Sequence, residues 1–143
     1  MAFPAPVPGL VIRYSYLWRD EFLSGQDEGR KDRPCVIVAA IRITDQGEVR
    51  ALVLPVTHTP PGASGLAVEI PSRVKERLQL DDARSWVVLS EWNEFAWPGP
   101  DVRSRPGTDE IAYGVLPPAM FASIRDAFVA AIEADAARQV RRT

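Results

Sequence analysis

Apolar and polar positions alternate with period two at the start of the chain. From Gly9 to Leu17, Ile12, Tyr14 and Tyr16 stand against Val11, Arg13 and Ser15, the signature of a strand. Pro34 to Ile43 is a continuous apolar run and predicts a buried strand, and Val49 to Val56 predicts its antiparallel return. Between them Asp45-Gln46-Gly47 is turn chemistry, with a glycine free to take positive φ. Alternation resumes at Leu66 to Ile70 and again at Ser85 to Trp92, which makes five strands.

Helical spacing occurs in two places. Ser72 is placed to cap a short helix with Val74 and Leu78 on its inner face. Pro117 and Pro118 sit where a helix begins. Beyond them Met120, Phe121, Ile124, Phe128, Ala131 and Ile132 recur at three- and four-residue steps. They predict an amphipathic helix of roughly 20 residues. Two long stretches read as loops. Arg19 to Arg33 is polar and too long for a tight hairpin, and Ala96 to Tyr113 is punctuated by prolines and glycines. The basic tail from Arg138 reads as frayed.

These elements predict one α+β domain over residues 1–143, mainly β, with a Pro-rich lead-in over 1–8. The expected shape is a small antiparallel barrel with a short helix after the fourth strand and a C-terminal helix packed on it. There are too few helices to serve as crossovers for a parallel sheet.

Composition narrows the chemistry. The chain has 143 residues, a net charge of -2 and 25% charged residues, so a broad basic face coating long nucleic acid is excluded. Local cationic patches remain open. Of the 17 basic residues only Lys31 and Lys75 are lysines. Arginine makes forked contacts to phosphate, although GC-rich coding accounts for the bias equally well. Cys35 alone allows no internal disulfide. With His58 as the sole histidine, a four-ligand Cys/His zinc site and a two-histidine ribonuclease scheme are both excluded. Cys35 falls inside an apolar run, where a thiol is ordinarily inert core. No run approaches the roughly 20 apolar residues of a membrane helix. The opening MAFPAPVPG lacks the pattern of a signal peptide, so the chain reads as cytoplasmic.

Antiparallel pairing of the second and third strands brings the start of one beside the end of the other. Arg33 and Thr57 then meet at one end of the sheet, with Glu28 arriving from the preceding loop. An ordinary charged loop, with Arg33 paired to Asp32 or Glu28, fits the same residues.

Four motifs in order carry a resemblance. They are Gly9-Leu10-Val11-Ile12; Glu28, four residues and then Arg33-Pro34 entering an apolar strand; Leu54-Pro55-Val56-Thr57; and Ser85-Trp86-Val87-Val88-Leu89. Over roughly residues 9 to 132 the chain resembles the MazF/PemK toxins of bacterial toxin–antitoxin pairs. The resemblance implies an SH3-like or CcdB-like barrel and a homodimer. It further implies an endoribonuclease (mRNA interferase) that cuts single-stranded RNA without metal or other cofactor, neutralised by a cognate antitoxin. It places catalytic roles on Arg33, Thr57 and Glu28. His58, Thr59, Ser85, Glu91 and Asn93 become further catalytic or substrate-binding candidates. Trp18, Arg30, Lys31, Arg103 and Arg105 become contacts to RNA or antitoxin. The chain departs from the family in a longer first loop, in Gly9-Leu10 where Gly-Asp is usual, and in Glu91 and Asn93 where relatives often place Gln.

The implied reaction makes a ribose 2′-OH attack its own phosphate, leaving a 2′,3′-cyclic phosphate and a 5′-OH. It requires a proton acceptor, a proton donor and stabilisation of charge on the phosphoryl oxygens. Arg33, a permanent cation, suits the charge, and Thr57 suits orientation of a phosphate oxygen. Glu28 or His58 is left as proton acceptor, imidazole having the better-suited titration range. A non-catalytic barrel acting by protein binding, as the gyrase-poisoning CcdB toxins do, and an inactive family member are the rival readings.

Overall fold

A computed structural model describes residues 3–26, 29, 31–43, 47–63 and 65–142. The chain runs β1 (Leu10–Tyr14), α1 (Arg19–Leu23), β2 (Arg33–Arg42), β3 (Val49–Thr57), β4 (Ala67–Glu69), α2 (Ser72–Arg77), β5 (Trp86–Val88), β6 (Glu91–Ala96), β7 (Ala112–Val115), α3 (Pro118–Glu133) and β8 (Arg138–Arg141). The fold is α+β and mainly antiparallel β.

β3 is the hub. One of its edges pairs with β2, which continues through β1 to β7. Its other edge is shared: residues 50–53 pair with β6 and residues 56–57 with β5. β5 carries β4, and β6 carries β8. Among the described residues no ladder joins β7 to β4 or β8, so the sheet is open where a closed barrel was expected.

The central strands are apolar on both faces because both faces are covered. Val11, Val36, Leu54 and Val56 face α2 and α3, against Val74, Leu78, Ile124, Phe128 and Ala131. Ile12, Tyr14, Cys35, Ile37 and Val53 face the opposite way, onto Phe95, Val102 and Ile111. Each fully buried side chain of this size contributes about 1.5–3 kcal/mol.

The structure corrects several sequence readings. The expected fifth strand divides at Leu89 and Ser90 into β5, which follows one branch of the sheet, and β6, which follows the other. The Ala96–Tyr113 stretch is fastened rather than loose: Asp101 O accepts from Ser15 N (2.9 Å), Arg103 N donates to Arg13 O (2.9 Å), and β7 begins at Ala112. The basic tail is ordered as β8, the parallel partner of β6, because Val140 is fully buried and Arg142 ion-pairs with Asp101 at 3.0 Å. The polar loop contains α1. Ser72 is the first helical residue, with Pro71 at the cap and no side-chain cap bond. Ile132, expected inward on α3, is exposed, whereas Ile124, Phe128 and Ala131 are buried as the spacing predicts. The Asp45-Gln46 part of the expected turn lies outside the described residues; Gly47 has φ 87°.

Candidate functional site

Antiparallel register sets the site. Cys35 pairs with Pro55 and Val36 with Leu54, so β2 begins at Arg33 at the same end of the sheet where β3 ends at Thr57. The side chains agree with the backbone: Arg33 Nη1 donates to Val56 O at 3.3 Å. Thr57 pairs with Trp86 across β5, which brings Ser85 to the same end of the sheet. The first loop returns close by. A side chain at Gly29 would put its Cβ 1.9 Å from Tyr16 O, so only glycine lets the loop pass there and deliver residues 31–33 beside Trp18.

A pocket of about 540 Å³ opens at this end, and Arg33, Thr57, His58 and Tyr113 are among its walls. Trp18, Lys31, Thr59 and Ser85 line it too. Arg33 lies over the Trp18 ring, its Cζ 4.9 Å from the centroid. Thr57 Oγ1 accepts from Thr59 N at 3.2 Å, closing a turn that holds the hydroxyl at the strand end.

The carboxylates of the pocket are taken up by other partners. Asp32 lies between Arg13 (3.7 Å) and Arg103 (3.8 Å). Asp81 lies between His58 (2.8 Å) and Lys75 (2.9 Å). Among the described residues Arg33 pairs with no carboxylate, and its Nε is buried without a hydrogen-bond partner. Its charge is therefore open to an incoming anion. Partial burial pushes the Asp81 carboxyl upward, but the Lys75 and His58 hydrogen bonds and charges outweigh this and hold it below the ordinary range. Burial pushes the Tyr113 hydroxyl above its ordinary value despite Arg13 and Arg105 nearby.

Two expected site residues make bonds that hold the fold together. Asn93 is fully buried: its Oδ1 accepts from Leu17 N (3.0 Å) and its Nδ2 donates to Leu17 O (2.8 Å). Glu91 accepts from Tyr16 Oη (3.1 Å) and from Arg19 N (2.9 Å), tying the end of β1 to α1 and β6. Arg105 lies over the Tyr113 ring at 4.9 Å and donates to Gln79 Oε1 at 3.1 Å. Arg103 donates to Pro100 O at 2.6 Å. Both arginines thus have partners within the chain, although Arg105 Nε is buried without a hydrogen-bond partner. Glu28 and Arg30 lie outside the described residues. Cys35 is fully buried, and burial pushes its thiol far above the ordinary value, so it presents no nucleophile.

Arg13, Lys75 and Asp81 reach the site without having been singled out in the sequence. Lys75 is buried on α2, where Ser85 Oγ (2.7 Å) and the Ala83 carbonyl accept from it along with Asp81. A lysine beside Val74 on a helix that also buries Leu78 was the available signal, since an ammonium inside a core needs acceptors. Among the described residues no group of acidic, histidine or cysteine side chains is arranged to hold a metal, and no helix is long and apolar enough to cross a membrane. Compared with models of known protein families the chain has no match, and no curated protein matches it.

Proposed function

We propose that the chain is a toxin-type endoribonuclease resembling the MazF/PemK family, cutting single-stranded RNA by metal-independent 2′-OH attack. The observation that carries the reading is that Arg33, which pairs with no carboxylate among the described residues and donates to Val56 O, and Thr57 line one pocket. A phosphodiester seated there meets a fixed positive charge where its oxygens gain negative charge in the transition state. Thr57 orients one of those oxygens. Trp18 offers an aromatic surface beside the phosphate position for an unpaired base. Lys31 adds charge to the pocket wall, which suits a short single-stranded site in an otherwise acidic protein.

The shared β3 strand with two branches is compatible with an open version of the SH3-like, CcdB/MazF-like architecture. A homodimer, a cognate antitoxin and a cytoplasmic setting belong to the same proposal. The test is incubation of the purified protein with a long single-stranded RNA in EDTA, followed by mapping of the ends. Discrete cuts carrying 5′-OH and 2′,3′-cyclic phosphate ends are expected. Intact RNA overturns the proposal, and inhibition of gyrase by the same preparation would put the protein-binding reading in its place.

A further inference from the structure

We infer that Asp81 is the positioning residue that makes Nδ1 of His58 the proton-accepting atom of the site. The inference rests on the proposed RNA-cleaving role of the pocket, and it decides between His58 and Glu28 as acceptor.

A neutral imidazole carries one N–H and one lone pair, and the partner of the N–H decides which nitrogen keeps the lone pair. His58 Nε2 lies 2.8 Å from Asp81 Oδ2. The other oxygen, Oδ1, is occupied twice: by Lys75 Nζ at 2.9 Å and by Ala83 N at 3.2 Å. The Lys75 side chain is 6% exposed and its remaining acceptors, Ser85 Oγ and the Ala83 carbonyl, are neutral, so Asp81 is its one anionic partner among the described residues. A buried ammonium thereby fixes the carboxylate, and the carboxylate fixes the ring. Nε2 keeps its proton toward Asp81. Nδ1 keeps the lone pair, on a side chain that is 56% exposed and lines the pocket of Arg33 and Thr57.

In the step this implies, the 2′-OH proton passes to Nδ1 as the O2′–P bond forms. The P–O5′ bond breaks with its electron pair going to O5′, which takes a proton from solvent. The imidazolium formed is balanced by Asp81 and later returns its proton to solvent.

His58 is the sole histidine of the chain, so its ring nitrogens are read by nitrogen-15 NMR without assignment. In the unmodified protein the neutral ring is expected as the Nε2–H form. In Asp81→Asn the single amide oxygen is claimed by Lys75, so the amide NH₂ faces the ring and the Nδ1–H form gains. For RNA cleavage, Asp81→Asn is expected to lower kcat by about 100-fold or more with KM little changed, the usual worth of a proton acceptor. His58→Ala should cost as much, and the double variant no more than either. A predominantly Nδ1–H ring in the unmodified protein overturns the role of Asp81 whether or not RNA is cut, and needs no variant to fold. A kcat within about threefold of the unmodified protein in a folded Asp81→Asn variant overturns it as well, since a proton acceptor is worth far more. Absence of any cleavage by the unmodified protein would refute the ribonuclease reading, and with it the catalytic half of this inference, while the ring tautomer still tests the positioning half.

Discussion

Replacing Asn93 with alanine separates a structural residue from a substrate contact. Its carboxamide is fully buried and makes paired bonds with the Leu17 backbone, 76 residues away in sequence. Leu17 is itself 2% exposed, so removal of the amide leaves a buried N–H and a buried C=O without partners. Each costs about 1–3 kcal/mol, and a small cavity adds to the sum. We expect a loss of about 3–5 kcal/mol, a large part of the roughly 5–15 kcal/mol that holds a domain of this size together. At the entropy of unfolding usual for such a chain, Tm falls by about 10–15 °C. Urea denaturation followed by tryptophan fluorescence, with a thermal melt, reads both numbers. Asn93→Leu refills the volume without restoring the bonds, so it should recover only the cavity part of the loss. A Tm drop below about 3 °C for Asn93→Ala, the equivalent of roughly 1 kcal/mol, refutes this account of the β1–β6 staple. A protein that kept its stability and lost RNA binding would return Asn93 to the substrate site.

Two other outcomes follow from the same geometry. Burial raises the Glu91 carboxyl above its ordinary range, only partly offset by the Arg19 amide and the Tyr16 hydroxyl. The folded state therefore binds this proton more tightly than the unfolded chain, and stability falls as pH rises from the ordinary glutamate range through the raised folded value. Glu91→Gln keeps an acceptor oxygen, so it should melt higher than the unmodified protein at neutral pH. The gain should vanish below about pH 4, where the unfolded chain's carboxyl is protonated too. Trp18→Ala should weaken binding of a short single-stranded RNA by about 1–3 kcal/mol, the worth of one stacked base, in a fluorescence titration.

The elements legible in the sequence were those whose pattern is local. Val11/Ile12, Val36/Ile37 and Val53/Leu54 send alternate residues into two cores, and that alternation is visible without coordinates. Hairpin pairing alone puts the start of β2, at Arg33, at the same end of the sheet as the end of β3, at Thr57. What escaped depends on partners distant in sequence. β8 is a basic segment with one inward residue, Val140, and becomes a strand only because the edge of β6 is free to receive it. β5 and β6 looked like one strand because nothing local marks the point where the chain leaves one branch of the sheet for the other. Glu91 and Asn93 read as site residues because exposed and buried polar side chains look alike in sequence. Lys75 and Asp81 were missed for the opposite reason: a helical lysine and an aspartate in a turn are unremarkable until Ser85 and His58 are found against them.

The rate of RNA cleavage by a folded Arg33→Ala variant tests the central claim most directly, because this pocket guanidinium pairs with no carboxylate among the described residues. Measured in EDTA beside the unmodified protein, with equal thermal melts to establish folding, the rate should fall on the order of 100- to 1000-fold, as it does when one transition-state donor is removed. A folded variant that still cuts RNA within about threefold of the unmodified rate, less than the loss of any such donor, would contradict the account.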